Sequence, residues 1–315
     1  MVNVYFTFEP REDLRANVIE EFPNVHFDFT YGLKEELLAE ADVLVTYGED
    51  LIAEHLNNAP KLKWIFVASA GVEKMPAEAI VERGIYVSNV RGIHKKPMTE
   101  SILAHILAYK RALPFMYEKQ AQKVWDKKAK LSELNGSTAL IIGPGAIGAE
   151  IGRILQAFDV KTIGCNRSGR TTPEMDETYN IDMLLEQLPK ADIVISMLPS
   201  TEETKYLLKE EHFAAMKPTA MFMNFGRGNV VEERVLVKAL KENQIEHAVL
   251  DVYEIEPLPA TSELWDLSNV TLSPHFSSHS SRYVERSLEI FKPSLSMWLE
   301  GNTSLPNEMD LRRGY

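Results

Sequence analysis

Gly143-Pro144-Gly145-Ala146-Ile147-Gly148 stands near the middle of this 315-residue chain, and no other stretch limits its fold as strongly. An apolar β-rich run at 138–142 precedes it, and Ile147, Ile151, Ile154, Leu155 and Phe158 follow at helical spacing. A strand, a glycine turn and a helix in that order make half of a βαβ unit, which belongs in a parallel sheet with helices on its faces. The fold class is therefore α/β.

The same alternation runs through the chain in two series. The first has β-rich runs at 2–6, 25–29, 42–46, 64–67 and 85–87, with helical spacing at 33–41 and 77–84 between them. It contains no nucleotide loop. A basic, turn-prone stretch at 91–97 then leads through Thr99 and Glu100 into a long helix reaching 113, with Pro97 as its start signal. Ala104, Ala108 and Ala112 on that helix permit close packing against a partner helix. The second series has strands at 138–142, 160–164, 193–196, 220–223, 248–250 and 270–272, and a helical stretch at 283–299 follows. If that last helix returns to the first series, residues 1–96 plus 281–315 form one domain and residues 97–280 a second, inserted one.

Composition narrows the function classes. The 45% hydrophobic and 25% charged content is that of a soluble globular protein, and no apolar stretch approaches the length needed to cross a bilayer. The first residues lack the basic region of a signal peptide, so a cytoplasmic location is expected. The single Cys165 excludes an intrachain disulfide and any multi-cysteine metal site, and no metal centre is expected. A net charge of −12 and the lack of a basic, aromatic-interleaved run argue against nucleic acid as a partner. A cationic site for an anionic small molecule must be local.

The loop itself points to a dinucleotide. Gly143 permits the tight turn, Gly145 lets the backbone approach a pyrophosphate, and Gly148 allows close helix packing. The amides of Ala146 and Ile147 open the helix, where negative charge is favoured. An NAD-selective site carries Asp or Glu about 20 residues further on. This chain instead ends its next strand with Cys165-Asn166-Arg167-Ser168-Gly169-Arg170. Arg167, Ser168 and Arg170 offer donors to a 2′-phosphate, so NADP(H) is favoured, with NAD(H) the other admissible cofactor.

Three residues after the loop complete a chemistry. Arg227, within Asn224-Phe225-Gly226-Arg227-Gly228, follows an apolar strand, at the sheet edge where ligands bind in doubly wound folds. Its planar guanidinium suits bidentate recognition of a 2-oxo acid. The Asp251–Pro257 stretch supplies two candidate carboxylates, Glu254 and Glu256, and Pro274-His275 an imidazole. A carboxylate beside an imidazole stabilises the protonated ring and orients it as a general acid. His275 would protonate a carbonyl oxygen while the nicotinamide delivers hydride, and would act as base in reverse.

Together these motifs resemble the D-isomer-specific 2-hydroxyacid dehydrogenase family over essentially the whole chain. The resemblance implies two Rossmann-like or flavodoxin-like domains with parallel sheets, the NAD(P)-binding domain inserted into the catalytic one, and a homodimer. It selects Glu256 over Glu254 as the partner of His275. It also implies that Leu198, Pro199, Thr204 and Phe225 line the cofactor, that Asp251 contacts the nicotinamide carboxamide, and that Ala70 and Gly71, in Ser69-Ala70-Gly71-Val72, bind the substrate carboxylate with Arg227 and His275. Glu73 and Phe276-Ser277-Ser278 depart from the family's commoner residues. Within the family, Asn166-Arg167-Ser168 is similar to the NADPH-linked glyoxylate and hydroxypyruvate reductases. A phosphoglycerate dehydrogenase-like enzyme is the alternative, and a nicotinamide-sensing, corepressor-like binding protein is the reading from another class. Metal-dependent hydrolysis through His275 and His279 would need a third ligand.

Overall fold

The computed structural model describes residues 1–69, 74–302 and 304–311. They form two compact units, one from residues 1–93 and the chain from 280 onward, the other from residues 94–279. The first unit contains β1 (Val2–Phe6), α1 (Glu12–Glu21), β2 (Val25–Phe29), α2 (Glu35–Leu38), β3 (Val43–Thr46), α3 (Ala53–Asn57), β4 (Trp64–Val67), α4 (Ala77–Glu82) and β5 (Tyr86–Asn89). Its strands are all parallel in the order β2-β1-β3-β4-β5.

Alternation along these short strands divides the core between the two faces. Val4, Phe6, Trp64 and Phe66 face one side, and Tyr5, Leu44, Ile65 and Val87 the other. The helix Tyr283–Leu299, legible in the sequence, covers the aromatic side. Its Phe291 lies 5.4 Å from Phe6, 5.6 Å from Trp64 and 5.1 Å from Phe66, ring centre to ring centre. The chain after that helix runs along β5, where the Met309 amide donates to the Val87 carbonyl.

The second unit begins with α5 (Lys95–Lys110) and α6 (Leu113–Ala121), followed by β6 (Thr138–Ile142), α7 (Ala146–Gln156), β7 (Lys161–Asn166), β8 (Glu177–Asn180) and α8 (Leu184–Gln187). It continues with β9 (Ile193–Ser196), α9 (Glu210–Ala215), β10 (Met221–Asn224), α10 (Glu233–Lys241), β11 (His247–Leu250) and β12 (Val270–Leu272). Seven parallel strands lie in the order β12-β11-β10-β9-β6-β7-β8. From β6 the chain runs outward through β7 and β8, then returns to β9 on the other side of β6. That reversal opens a crevice at the carboxyl ends of β6 and β9, the usual ligand position in such sheets.

Three local features differ from the sequence expectation. Helix α5 starts at Lys95, so Pro97 sits inside its first turn, where a missing N–H costs nothing because no carbonyl awaits it. The expected run to 113 breaks at Ala112, left-handed at φ 51°, and α6 starts anew with Pro114 as its second residue. Strand β8 was not expected, because Glu177-Thr178-Tyr179-Asn180 is a half-buried edge strand without an apolar run.

Candidate active site

Backbone contacts explain the glycines. Gly143 is left-handed at φ 84°, and a Cβ there would lie 3.2 Å from the Met197 carbonyl oxygen of the loop after β9. At Gly148 it would lie 3.0 Å from both the Gly143 carbonyl oxygen and Ile141. At Gly145, the residue before α7, it would meet nothing within 4 Å among the described residues. The loop is therefore tight on its inner side and open at the helix start. The first amides of α7, those of Ala146 and Ile147 included, lack intrahelical acceptors, and no acid occupies the first turn. Ser196, at the end of β9, keeps a buried Oγ without a hydrogen-bond partner among the described residues. An open anion cradle beside a buried hydroxyl fits a dinucleotide pyrophosphate. Gly152, one turn further, passed unnoticed in the sequence; a Cβ there would lie 2.5 Å from the Glu174 carbonyl oxygen.

Past β7 the chain turns on its own side chains. The Asn166 amide nitrogen donates to the Arg170 carbonyl at 2.8 Å, its oxygen accepts from the Ser168 amide at 3.1 Å, and Asn180 donates to the Arg167 carbonyl at 2.9 Å. Arg167, Ser168 and Arg170 are exposed, and neither arginine forms an ion pair among the described residues. Leu198 is buried, and its backbone carbonyl would lie 2.4 Å from a Cβ at Gly226. Thr204 closes its own loop, its hydroxyl donating to the Pro199 carbonyl at 2.6 Å. The Phe225 ring belongs to the core, with its centre 6.0 Å from that of His105.

Arg227 follows β10 in a turn built by Asn224, whose amide nitrogen donates to the Arg227 carbonyl at 3.1 Å and whose oxygen accepts from the Gly226 amide at 3.3 Å. The glycines on either side are required by contact, since a Cβ at Gly228 would lie 1.9 Å from the Tyr253 carbonyl carbon. Arg227 is exposed, donates to the Gly226 carbonyl at 3.0 Å and forms no ion pair among the described residues, so its charge is available to an anion.

The two candidate carboxylates separate by their partners. Glu254 accepts from the Tyr206 hydroxyl and from the Glu233 amide at 3.2 Å, away from the imidazole. Glu256 accepts from the Tyr253 amide at 2.9 Å on Oε1 and meets His275 Nδ1 at 2.7 Å on Oε2. With Nδ1 so engaged, the ring tautomer is set and Nε2, which has no hydrogen-bond partner among the described residues, is the atom left to exchange a proton. His275 is itself left-handed at φ 51°. Asp251, after β11, is buried and turns toward the loop around His275. Ala70 and Gly71 lie outside the described residues. Among those described, no group of three or more His, Cys, Asp or Glu could hold a metal ion, and no helix is long and apolar enough to cross a membrane.

Residues 103–277 match the family model for the D-isomer specific 2-hydroxyacid dehydrogenase, NAD binding domain. The chain belongs to this family. A glyoxylate reductase of Thermofilum pendens is 36% identical over 85% of this chain and 82% of its own length. A D-3-phosphoglycerate dehydrogenase of Methanocaldococcus jannaschii is 33% identical over 87% of this chain and 53% of its own. The solved structure of a D-isomer specific 2-hydroxyacid dehydrogenase family protein from Aeromonas salmonicida superposes with a TM-score of 0.85 at 32% identity, covering 98% of this chain and 99% of that one. The chain is thus an NAD(P)-dependent D-2-hydroxyacid dehydrogenase, acting on CH–OH donors and the corresponding oxo acids.

Proposed function

We propose that this dehydrogenase works as a reductase of a small 2-oxo acid of the glyoxylate or hydroxypyruvate type, with NADPH as the preferred cofactor. The observation that carries the reading is the 2.7 Å contact between His275 Nδ1 and Glu256, which leaves Nε2 as the proton donor, together with an Arg227 that no carboxylate among the described residues neutralises. The similarity to glyoxylate reductases supports the substrate class.

Gly143, Gly145 and the first amides of α7 would hold the pyrophosphate, and Arg167, Ser168 and Arg170 the 2′-phosphate. When bound, the reduced nicotinamide supplies the hydride. Arg227 clamps the substrate through its carboxylate and neighbouring oxygen, two parallel bonds that fix the direction of the carbonyl. His275 gives its Nε2 proton to the carbonyl oxygen as that oxygen gains negative charge, and ends neutral. Glu256 holds the imidazolium before the transfer and keeps the ring in place after it. In the oxidative direction neutral His275 takes the hydroxyl proton. The unit formed by residues 94–279 is the proposed cofactor domain, and the other unit, with Ala70 and Gly71 in its sequence, the proposed substrate domain.

Assaying glyoxylate, hydroxypyruvate and larger 2-oxo acids with NADPH and NADH tests this directly. The reading expects the highest kcat/KM for the small acids with NADPH; a clear preference for NADH would overturn the cofactor assignment, and no turnover of the small acids the substrate class.

A homodimer is part of the proposal. Met116, Tyr117, Val124, Trp125 and Leu131 are all exposed on α6 and the segment after it, with Trp125 at 90%. So many large apolar side chains in one short stretch support burial against a second copy. Sedimentation of Trp125→Glu should then give a lighter species than the parent chain. The lone buried cysteine agrees with a reducing, cytoplasmic setting.

A further inference from the structure

We infer that Tyr206 and Glu254 are positioning residues that lock the turn carrying Arg227 to the segment carrying Glu256, which rests on the reading of His275 as the proton donor and Glu256 as its partner.

The segment that presents Glu256 has little support from its own backbone. Residues 252–258 form no backbone–backbone hydrogen bond among the described residues, yet Glu256 holds an oxygen 2.7 Å from His275 Nδ1. Side chains hold the segment instead. At its start the Tyr253 hydroxyl donates to the Ser273 carbonyl at 2.8 Å, and beyond its end the Ser262 hydroxyl donates to the Glu233 carboxylate at 2.7 Å. Between these ties lies Glu254, whose Oε2 accepts from the Glu233 amide at 3.2 Å. Glu233 opens α10, where the first amides have no intrahelical acceptor and the preceding Glu232 gives no side-chain cap. Glu254 therefore caps a helix to which it does not belong, at the end where the dipole favours a carboxylate.

The other oxygen of Glu254, Oε1, accepts from the Tyr206 hydroxyl. Tyr206 belongs to the loop after β9 and is left-handed at φ 52°, a conformation that costs a residue with a side chain free energy and persists where its surroundings impose it. The imposition comes from the Arg227 turn. The Tyr206 amide donates to the Asn229 carbonyl at 2.9 Å, two residues past Arg227, and the Leu208 amide donates to the Val230 carbonyl at 3.0 Å. Gly228 closes the circuit, since a Cβ there would lie 1.9 Å from the Tyr253 carbonyl carbon and 2.5 Å from the Glu254 amide nitrogen. Tyr206 thus serves the substrate clamp with its amide and the acid pair with its hydroxyl. The two bonds to Glu254 also hold that carboxylate away from the imidazole, which leaves Glu256 as its partner.

The test compares Tyr206→Phe, Glu254→Ala, Glu254→Gln and the double variant Tyr206→Phe/Glu254→Ala. The measurements are kcat and KM for glyoxylate with NADPH, and the proton resonance of the His275 Nδ1–H group, assigned by its loss in His275→Ala. Tyr206→Phe should lower kcat roughly 3-fold to 30-fold, because a reacting group is misplaced without being removed. KM should stay within about twofold of the parent, because the amide that holds the Arg227 turn is untouched. The Nδ1–H resonance should shift or broaden in Tyr206→Phe and in Glu254→Ala, although neither residue touches His275. Glutamine can accept from the Glu233 amide and donate to the tyrosine oxygen, so Glu254→Gln should recover most of both kcat and the resonance. The double variant should fall within about twofold of Glu254→Ala, since both changes break one link. Unchanged kcat and resonance in Tyr206→Phe and Glu254→Ala would overturn the lock. So would a Glu254→Gln variant as impaired as Glu254→Ala, which would assign the effect to charge, or losses that multiply in the double variant, which would make the two residues independent. Undiminished turnover in His275→Ala would sink the proton-donor reading separately, and the resonance in the Tyr206 and Glu254 variants would then decide the lock on its own.

Discussion

At the scale of single residues, the site divides its tasks between side chains whose charges are used and side chains whose charges are spent on structure. Glu254 and Glu256 are two positions apart, yet one is tied to Tyr206 and the Glu233 amide and the other to His275. His275→Ala should lower turnover roughly 10²-fold to 10⁴-fold, the usual contribution of a positioned acid or base; steady-state kinetics at saturating substrate checks it, and an unchanged kcat would remove His275 from the chemistry. Arg227→Lys keeps the charge but loses the planar fork, so KM for the oxo acid should rise while the NADPH Kd stays put. At the cofactor end, replacing Arg167 and Arg170 together with alanine should weaken NADPH and leave NADH unaffected. Equal weakening of both would mean that the two guanidinia act on something other than the 2′-phosphate.

At the scale of elements, the glycines show how loops pack on loops. Gly145 and Gly228 make opposite predictions from the same substitution. A Cβ at Gly145 meets open space, so Gly145→Ala should cost under about 1 kcal/mol of stability, yet it intrudes where the pyrophosphate would lie. NADPH binding should fall at least roughly tenfold, or about 1.4 kcal/mol. A Cβ at Gly228 would overlap the Tyr253 carbonyl, so Gly228→Ala should lose about 3 kcal/mol as the Arg227 turn and the Glu256 loop are forced apart. Urea unfolding of the two variants, set beside NADPH titration, checks both. Equal stability loss in the pair would mean that the Gly145 side of the loop is closed.

At the scale of the whole molecule, the buried histidines set an acid limit on stability. His247 is stacked on Tyr109 at 4.6 Å and bonded to Thr271 at 2.9 Å, and burial pushes its imidazole down to about 4 despite the nearby Glu246 carboxylate. Burial also lowers His94, His105 and His212. Between the ordinary histidine value of 6.5 and about 4, the unfolded chain binds a proton at this position that the folded chain refuses. Stability from His247 is therefore complete above pH 6.5, declines as pH falls, and levels off near pH 4. At about 1.4 kcal/mol per pH unit the full effect is about 3 kcal/mol. Denaturant midpoints measured between pH 7.5 and pH 4.5 should fall, and less steeply in His247→Gln. An identical slope in that variant would assign the acid sensitivity to other groups.

Periodicity and turn chemistry are local, and they were enough to mark both parallel series, the glycine loop and the helix Tyr283–Leu299. They also brought Arg227, Glu256 and His275 forward as candidates, since each follows a strand at the edge where ligands bind. Edge strand β8 was hidden because a half-buried strand needs no apolar run, and the break at Ala112 because a left-handed alanine has no signature of its own. The choice between Glu254 and Glu256 needed the resemblance at first and is explained physically only by the partners each one meets. The hydrogen bonds onto Asp251 and the contacts that demand Gly152, Gly226 and Gly228 were out of reach for the same reason. A buried carboxylate or a small residue acquires meaning from what lies against it, and residues 20 or more positions apart become neighbours only when the sheet assembles.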